Sequence, residues 1–238
     1  MRKLELKELD VLPYSVKESM NRLRVNLGYS GDQYKRILIT SSIPDEGKSF
    51  VAVNLWHLLA NSGKKVVLVD ADLRRSFLRS RHKMQVDVRG DAVGLANYLA
   101  GQVELEDVLY ETNVMDGFIV PSFRDVSNPL ILLQNPRFKQ MLDHLAENYD
   151  YVLLDVPPLD NVSDGLQMAS CCDGALLVVK SGAVPRRIIA GAIKQLEDVN
   201  CPIIGTVLNQ VEMNKTPYYY RYSRYGYYNK YYQSEKNN

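Results

Sequence analysis

Residues 37-ILITSSIPDEGKSFVAVNLWHLLANSG-63 read as strand, turn and helix in immediate succession. Ile37 to Thr40 form a short apolar run with β-branched residues, the pattern of a strand buried on both faces. Val51, Leu55, Leu58 and Leu59 then fall on one side of a helix, and Gly63 follows as its stop signal. The turn between them, 42-SIPDEGKS-49, fits the pattern G-x-x-x-x-G-K-[ST] with Ser42 in place of the first glycine. That pattern has a chemical purpose. Successive backbone N–H groups wrap a β-phosphate and a helix N-terminus adds its partial positive charge. Lys48 neutralises β/γ-oxygens and the Ser49 hydroxyl holds Mg²⁺. Asp45 brings a carboxylate close to the polyphosphate, although aspartate tolerates the left-handed backbone better than most residues.

Outward from this unit the chain keeps alternating. The runs 66-VVLVD-70, 118-FIVP-121, 151-YVLLD-155, 175-ALLVV-179 and 203-IIGTVL-208 are strand-like, and longer segments with helical spacing separate them. Such alternation predicts right-handed parallel crossovers: a mostly parallel, three-layer α/β/α sheet of the P-loop type, with ligands beyond the carboxyl ends of the strands. Two aspartates sit at such ends, Asp70 in 67-VLVDADLRRS-76 and Asp155 in 152-VLLDVPP-158. Burying them without counter-charge is costly, and a divalent cation with its waters supplies the compensation.

Composition narrows the function. Lys plus Arg (29) balance Asp plus Glu (28), so no uniform field draws the chain to nucleic acid, and no nucleic-acid partner is expected. No apolar run approaches the roughly 18 to 20 residues that cross a bilayer, and the first residues lack an apolar signal region, which predicts a cytoplasmic protein. Cys171, Cys172 and Cys201 have no metal-ligand spacing and are expected to be buried free thiols. The expected division is an N-terminal arm over 1–34, a P-loop domain over 35–211 and a flexible tail over 212–238.

That tail contains 216-TPYYYRYSRYGYYNKYYQ-233, which gathers Tyr218, Tyr219, Tyr220, Tyr222, Tyr225, Tyr227, Tyr228, Tyr231 and Tyr232. Together with S-x-P-x-E-G-K-S, V-D-A-D-L-R and L-L-D-x-P-P in that order, the chain resembles the bacterial tyrosine kinases, from about Glu18 to its end. Their three elements are called Walker A, Walker A′ and Walker B. Three positions depart from the family pattern: Asp45 stands where a glycine is usual, Val156 replaces a threonine, and Asn21 replaces the first arginine of an E-x-x-R-x-x-R segment.

The resemblance implies an ATP-dependent tyrosine autokinase that phosphorylates its own tail tyrosines, on itself or on a neighbouring subunit. It implies nucleotide contacts from Asp45, Glu46, Gly47, Lys48, Ser49, Phe50 and Asn209, and a Mg²⁺ shell from Ser49, Asp72 and Asp155. Lys48, Asp70 and Asp72 are the implied catalytic residues, with Asp70 accepting the phenolic proton and Arg74 and Arg75 steadying the transferring oxygens. A tyrosine pKa near 10 against about 4 for aspartate is a gap of roughly 8 kcal/mol, so the proton leaves late. Glu18, Arg22 and Arg24 in 18-ESMNRLR-24 are implied to pack subunits into a homo-oligomeric ring. A separate transmembrane adaptor, a tyrosine phosphatase, a place at the inner face of the membrane and a role in capsule or exopolysaccharide production complete the implied setting.

Two rival readings remain. A partition or septum-positioning ATPase shares the expected fold, but typically carries an extra lysine where Thr40, Ser41 and Ser42 stand. A single-strand RNA binder would use the interleaved tyrosines and arginines of the tail.

Overall fold

The computed structural model describes residues 2–86, 92–160 and 163–212. In chain order the elements are β1 (Arg2–Leu6), α1 (Tyr14–Tyr29), β2 (Arg36–Ser41), α2 (Lys48–Ala60), β3 (Val66–Asp70), α3 (Phe77–Arg81), β4 (Met84–Val86), α4 (Leu95–Leu99) and α5 (Leu105–Val108). There follow β5 (Tyr110–Thr112), β6 (Gly117–Val120), α6 (Pro129–Leu133), α7 (Pro136–Asn148), β7 (Tyr151–Asp155), α8 (Asp164–Ala169), β8 (Gly174–Lys180), α9 (Arg186–Asp198) and β9 (Ile203–Asn209).

The nine strands lie in the order β4-β1-β5-β6-β3-β7-β2-β8-β9. The six strands expected from the sequence are the contiguous parallel block β6-β3-β7-β2-β8-β9. The other three extend the sheet beyond β6, with antiparallel pairing at β1/β4 and β5/β6 and parallel pairing at β1/β5. Residues 2–6, read as part of an arm, therefore form a strand inside the sheet. Their five-residue alternation of charge and leucine buries only Leu4 and Leu6, too short a pattern to announce a strand.

Side-chain alternation along the strands builds two cores. Leu38, Val67, Val69, Val152 and Leu154 face one layer, which includes Phe138 and Leu142 of α7 and Leu196 of α9. Ile37, Ile39, Val66, Leu68 and Leu153 face the other, formed by α1 and α2. Trp56 of α2 is fully buried there and donates its Nε1–H to the Val66 carbonyl at 3.3 Å. Gly117 makes this approach possible, since a Cβ at that position would lie 2.6 Å from the Trp56 ring. Helix α1 packs on α2 through Met20 and Leu27. Among the described residues, no helix is long and apolar enough to cross a membrane, and all three cysteines are free thiols, Cys171 half-buried and Cys172 and Cys201 buried.

This arrangement decides where chemistry can occur. The register aligns Asp70 with Asp155 across β3 and β7, and Ile39 with Asp155 across β2 and β7. Both aspartates thus end adjacent strands, beside the turn that leads from β2 into α2.

Candidate active site

The β2–α2 turn is held open from inside. Glu46 is buried, and its Oε2 accepts the Ser42 and Ile43 backbone N–H groups at 2.6 and 2.9 Å while Oε1 accepts that of Lys180 at 2.9 Å. Its carboxylate is therefore a brace and leaves only the main chain of Glu46 for a nucleotide contact. Asp45 and Gly47 both have positive φ, 63° and 90°, which curls the loop as expected for a phosphate cradle. Asn209, the last residue of β9, and Gln210 after it donate to the Glu46 and Asp45 carbonyls at 2.9 and 3.1 Å and tie the loop to the far edge of the sheet.

Helix α2 starts at Lys48 with no side-chain cap on its N-terminus. Its first-turn N–H groups and its dipole consequently meet the cleft without a built-in acceptor. The Lys48 ammonium lies 3.1 Å from Asp72 Oδ2, 3.3 Å from Ser49 Oγ and 3.6 Å from Asp155 Oδ1. Burial alone would lower this lysine, but Asp155 and Asp72 outweigh it and hold its pKa above the usual value. Burial raises Asp155 in turn, against the pull of Lys48. Asp70 lies deeper, fully buried, with Oδ2 accepting from Ser76 Oγ at 2.5 Å and from the Ser122 N–H at 3.4 Å. Burial, with Asp155 and Asp72 nearby, pushes it up to about 8 despite those two hydrogen bonds.

Above these groups opens a cleft of about 990 Å³ lined by Asp45, Gly47, Lys48, Ser49, Phe50, Asp72 and Asn209, all expected from the sequence. Asp72, not Asp70, is the Walker A′ carboxylate on its wall; Asp70 lies behind it. Arg74 and Arg75 both line the cleft, and Arg74 Nε donates to Oδ2 of the buried Asp164 carboxylate at 2.6 Å. That pairing spans 90 residues and left no local signal in the sequence.

A divalent cation fits the donors present. Asp70 Oδ1 is buried without a hydrogen-bond partner among the described residues, as is Asp155 Oδ1, 3.6 Å from the Lys48 ammonium. The described residues contain no cluster of three His, Cys, Asp or Glu suited to a metal. Mg²⁺ does not ask for one, because it keeps waters and combines one or two carboxylates with a hydroxyl and substrate phosphates. Thr40 and Ser41, at the lysine position of the partition class, turn inward: Thr40 donates to the Pro157 carbonyl at 3.0 Å and Ser41 to that of Ile43 at 2.8 Å. On α1, Arg22 is exposed while Glu18 and Arg24 are half-buried, and Asn21 donates to Glu18 at 3.5 Å. The nine tail tyrosines lie outside the described residues.

A braced loop entering an uncapped helix at the carboxyl edge of a parallel sheet, with a lysine among three aspartates, defines a nucleotide-binding P-loop α/β protein. Known proteins agree and sharpen the class. A family profile described as an AAA domain matches residues 35–194. Tyrosine-protein kinase CpsD of Streptococcus agalactiae is 37% identical over 201 residues, covering 84% of this chain and 86% of that relative. The kinase domain of the Escherichia coli tyrosine kinase ETK superposes with a TM-score of 0.75 at 28% identity, covering 83% of this chain and 78% of that one. The Pyrococcus furiosus cell division ATPase MinD is more distant, with a TM-score of 0.62 at 26% identity over 73% of this chain and 71% of that one. The chain belongs to the bacterial tyrosine-protein kinases.

Proposed function

We propose that this kinase transfers the γ-phosphoryl group of ATP to tyrosines of its own C-terminal cluster, Tyr218 to Tyr232, on a neighbouring copy. The observation that carries this reading is the Lys48 ammonium set between Asp72 and Asp155 at the uncapped head of α2. Lys48 and the first-turn N–H groups hold the phosphates, and Asn209 and Gln210 flank the side on which the base rests. Mg²⁺, held through Ser49, Asp155 and Asp72, supplies charge neutralisation of the triphosphate. The cleft geometry favours Asp72 as the carboxylate facing the acceptor hydroxyl, with Asp70 bracing the segment behind it through Ser76. In the transfer, a bond forms from the phenolic oxygen to the γ-phosphorus as the bond to the β–γ bridging oxygen breaks. The phenolic proton passes late to Asp72 and then to solvent, leaving ADP and a phosphotyrosine.

The remaining assignments rest on the family resemblance. Helix α1 serves assembly through Glu18, Arg22 and Arg24, residues 35–211 carry the kinase site and residues 212–238 are the acceptor tail. A transmembrane adaptor holds the assembly at the inner face of the membrane, a phosphatase resets the tail, and the process served is capsule or exopolysaccharide production. Incubation with γ-labelled ATP and Mg²⁺ tests the core of the reading. Label is expected on tyrosines of 216–233 in the wild type and lost in Lys48→Met. Free phosphate without phosphotyrosine would instead assign a partition-type ATPase.

A further inference from the structure

Two loops that leave neighbouring strands meet beside the cleft. The first follows β3 and carries Asp72, Arg74 and Arg75; the second follows β7, carries Pro157, Pro158 and Asp160, and leads into α8. The main chain of the first is pinned on both sides. The Ala71 N–H donates to the Asp155 carbonyl at 2.9 Å, and the Leu73 carbonyl accepts the Val126 N–H at 2.8 Å. Arg74 is therefore fixed at its backbone, while its side chain, 40% exposed, is tied at one point: Nε donates to Asp164 Oδ2 at 2.6 Å.

Asp164 is the first residue of α8 and is buried, so its carboxylate leaves water to make this bond. Its other oxygen, Oδ1, has no hydrogen-bond partner among the described residues. Burying a carboxylate is costly, and an arginine partner most often offsets that cost with two parallel bonds, one to each oxygen. Here the arginine gives only Nε. Its two terminal nitrogens keep four N–H donors, on a side chain that lines the same cleft as Lys48 and Ser49.

We propose that Asp164 is a positioning residue for phosphoryl transfer, which fixes Arg74 at Nε so that its terminal nitrogens meet the oxygens of the transferring γ-phosphoryl group. The proposal rests on the phosphotransfer reading above and adds the group that holds those oxygens in flight. In the loose transition state charge spreads over three equatorial oxygens, more than one lysine can serve. A planar guanidinium offers them two parallel donors. An untethered arginine would lose rotamer freedom on reaching them, whereas one already held at Nε has its donors waiting where the charge develops. Asp164 takes no proton and forms no bond to the substrate, so the atoms balance as in the transfer already written.

The test uses the full chain, Mg²⁺-ATP and a synthetic peptide of residues 216–233. Arg74→Ala is expected to lower kcat about hundredfold and Asp164→Asn about tenfold, with the KM for ATP within about twofold in both. Mg²⁺-ADP with aluminium fluoride, a mimic of the group in flight, should bind Asp164→Asn about tenfold more weakly, while Mg²⁺-ADP alone binds as it does to the wild type. Asp164→Asn added to Arg74→Ala should lower kcat no further, because the carboxylate acts through the guanidinium. Arg74→Lys keeps the charge but has one nitrogen where two tasks exist, and should fall close to Arg74→Ala.

Unchanged kinetics in Asp164→Asn overturn the proposal, and a lowered Tm beside them makes the pair a structural tie only. A rise confined to the KM for ATP also overturns it, as does a loss that persists undiminished in the double variant. Should Asp164→Asn fail to fold, Arg74→Lys decides: wild-type kcat there shows that charge without the Nε tether suffices, and overturns the positioning role. If the wild type itself forms no phosphotyrosine, the phosphotransfer reading fails and the proposal with it; an active wild type matched by Asp164→Asn sinks the proposal alone.

Discussion

Gly47 is where conformational freedom and close approach are both required. Its φ of 90° is strained for any other residue, and a Cβ there would sit 2.1 Å from Asn209 Nδ2. Gly47→Ala should therefore cost about 1–3 kcal/mol and push Asn209 off the loop. Denaturant unfolding and titration with a fluorescent nucleotide should both register the loss. Asp70 makes a prediction of a different kind, because its carboxyl is raised from 3.8 to about 8, chiefly by burial. Between those values the native state keeps a proton that the unfolded chain has released, so stability falls as pH rises. The contribution is full below about pH 4 and gone above about pH 8. In metal- and nucleotide-free protein, Tm measured from pH 5 to 8.5 should decline more steeply for wild type than for Asp70→Asn. These residues were legible early because a strand-end aspartate and a G-K-S turn announce themselves locally. The Glu46 brace and the Arg74–Asp164 pair were not, since each depends on partners that only the folded sheet brings near.

Helix α2 links the site to the core, and Trp56 is its deepest anchor. Trp56→Ala should destabilise the protein by about 3–5 kcal/mol through the cavity it leaves, with the denaturation midpoint as the measurement. Gly117→Val should be similarly harmful, because the added carbons meet the same ring. The six parallel strands were readable because each is a short apolar run, five of them mostly buried on both faces and the edge strand β9 partly exposed. Strands β1, β4 and β5 were not, being three to five residues long and partly solvated. Helix α1 shows the same limit: its sequence suggested a surface for neighbours, yet Val16, Met20 and Leu23 turn toward the nucleotide cleft.

On the proposed function, the charge of the tail governs assembly. Arg221, Arg224 and Lys230 make the tyrosine cluster mildly basic, and each phosphate adds about −1.5 to −2. Several phosphates reverse its sign and set it against Asp72 and the triphosphate. Light scattering should find a smaller mean mass for a tail with its tyrosines replaced by glutamate than for one with phenylalanines. Equal masses would refute this release. A last consequence follows from the place of β1 in the sheet. Its partners begin at Met84 and Tyr110, so Leu4 pairs with Val86 and Thr112. During synthesis these five residues leave the ribosome some eighty to one hundred codons before the strands that flank them. The nascent chain carries Leu4 and Leu6 without their sheet partners through that interval, which exposes the segment to non-native association until β4 and β5 emerge.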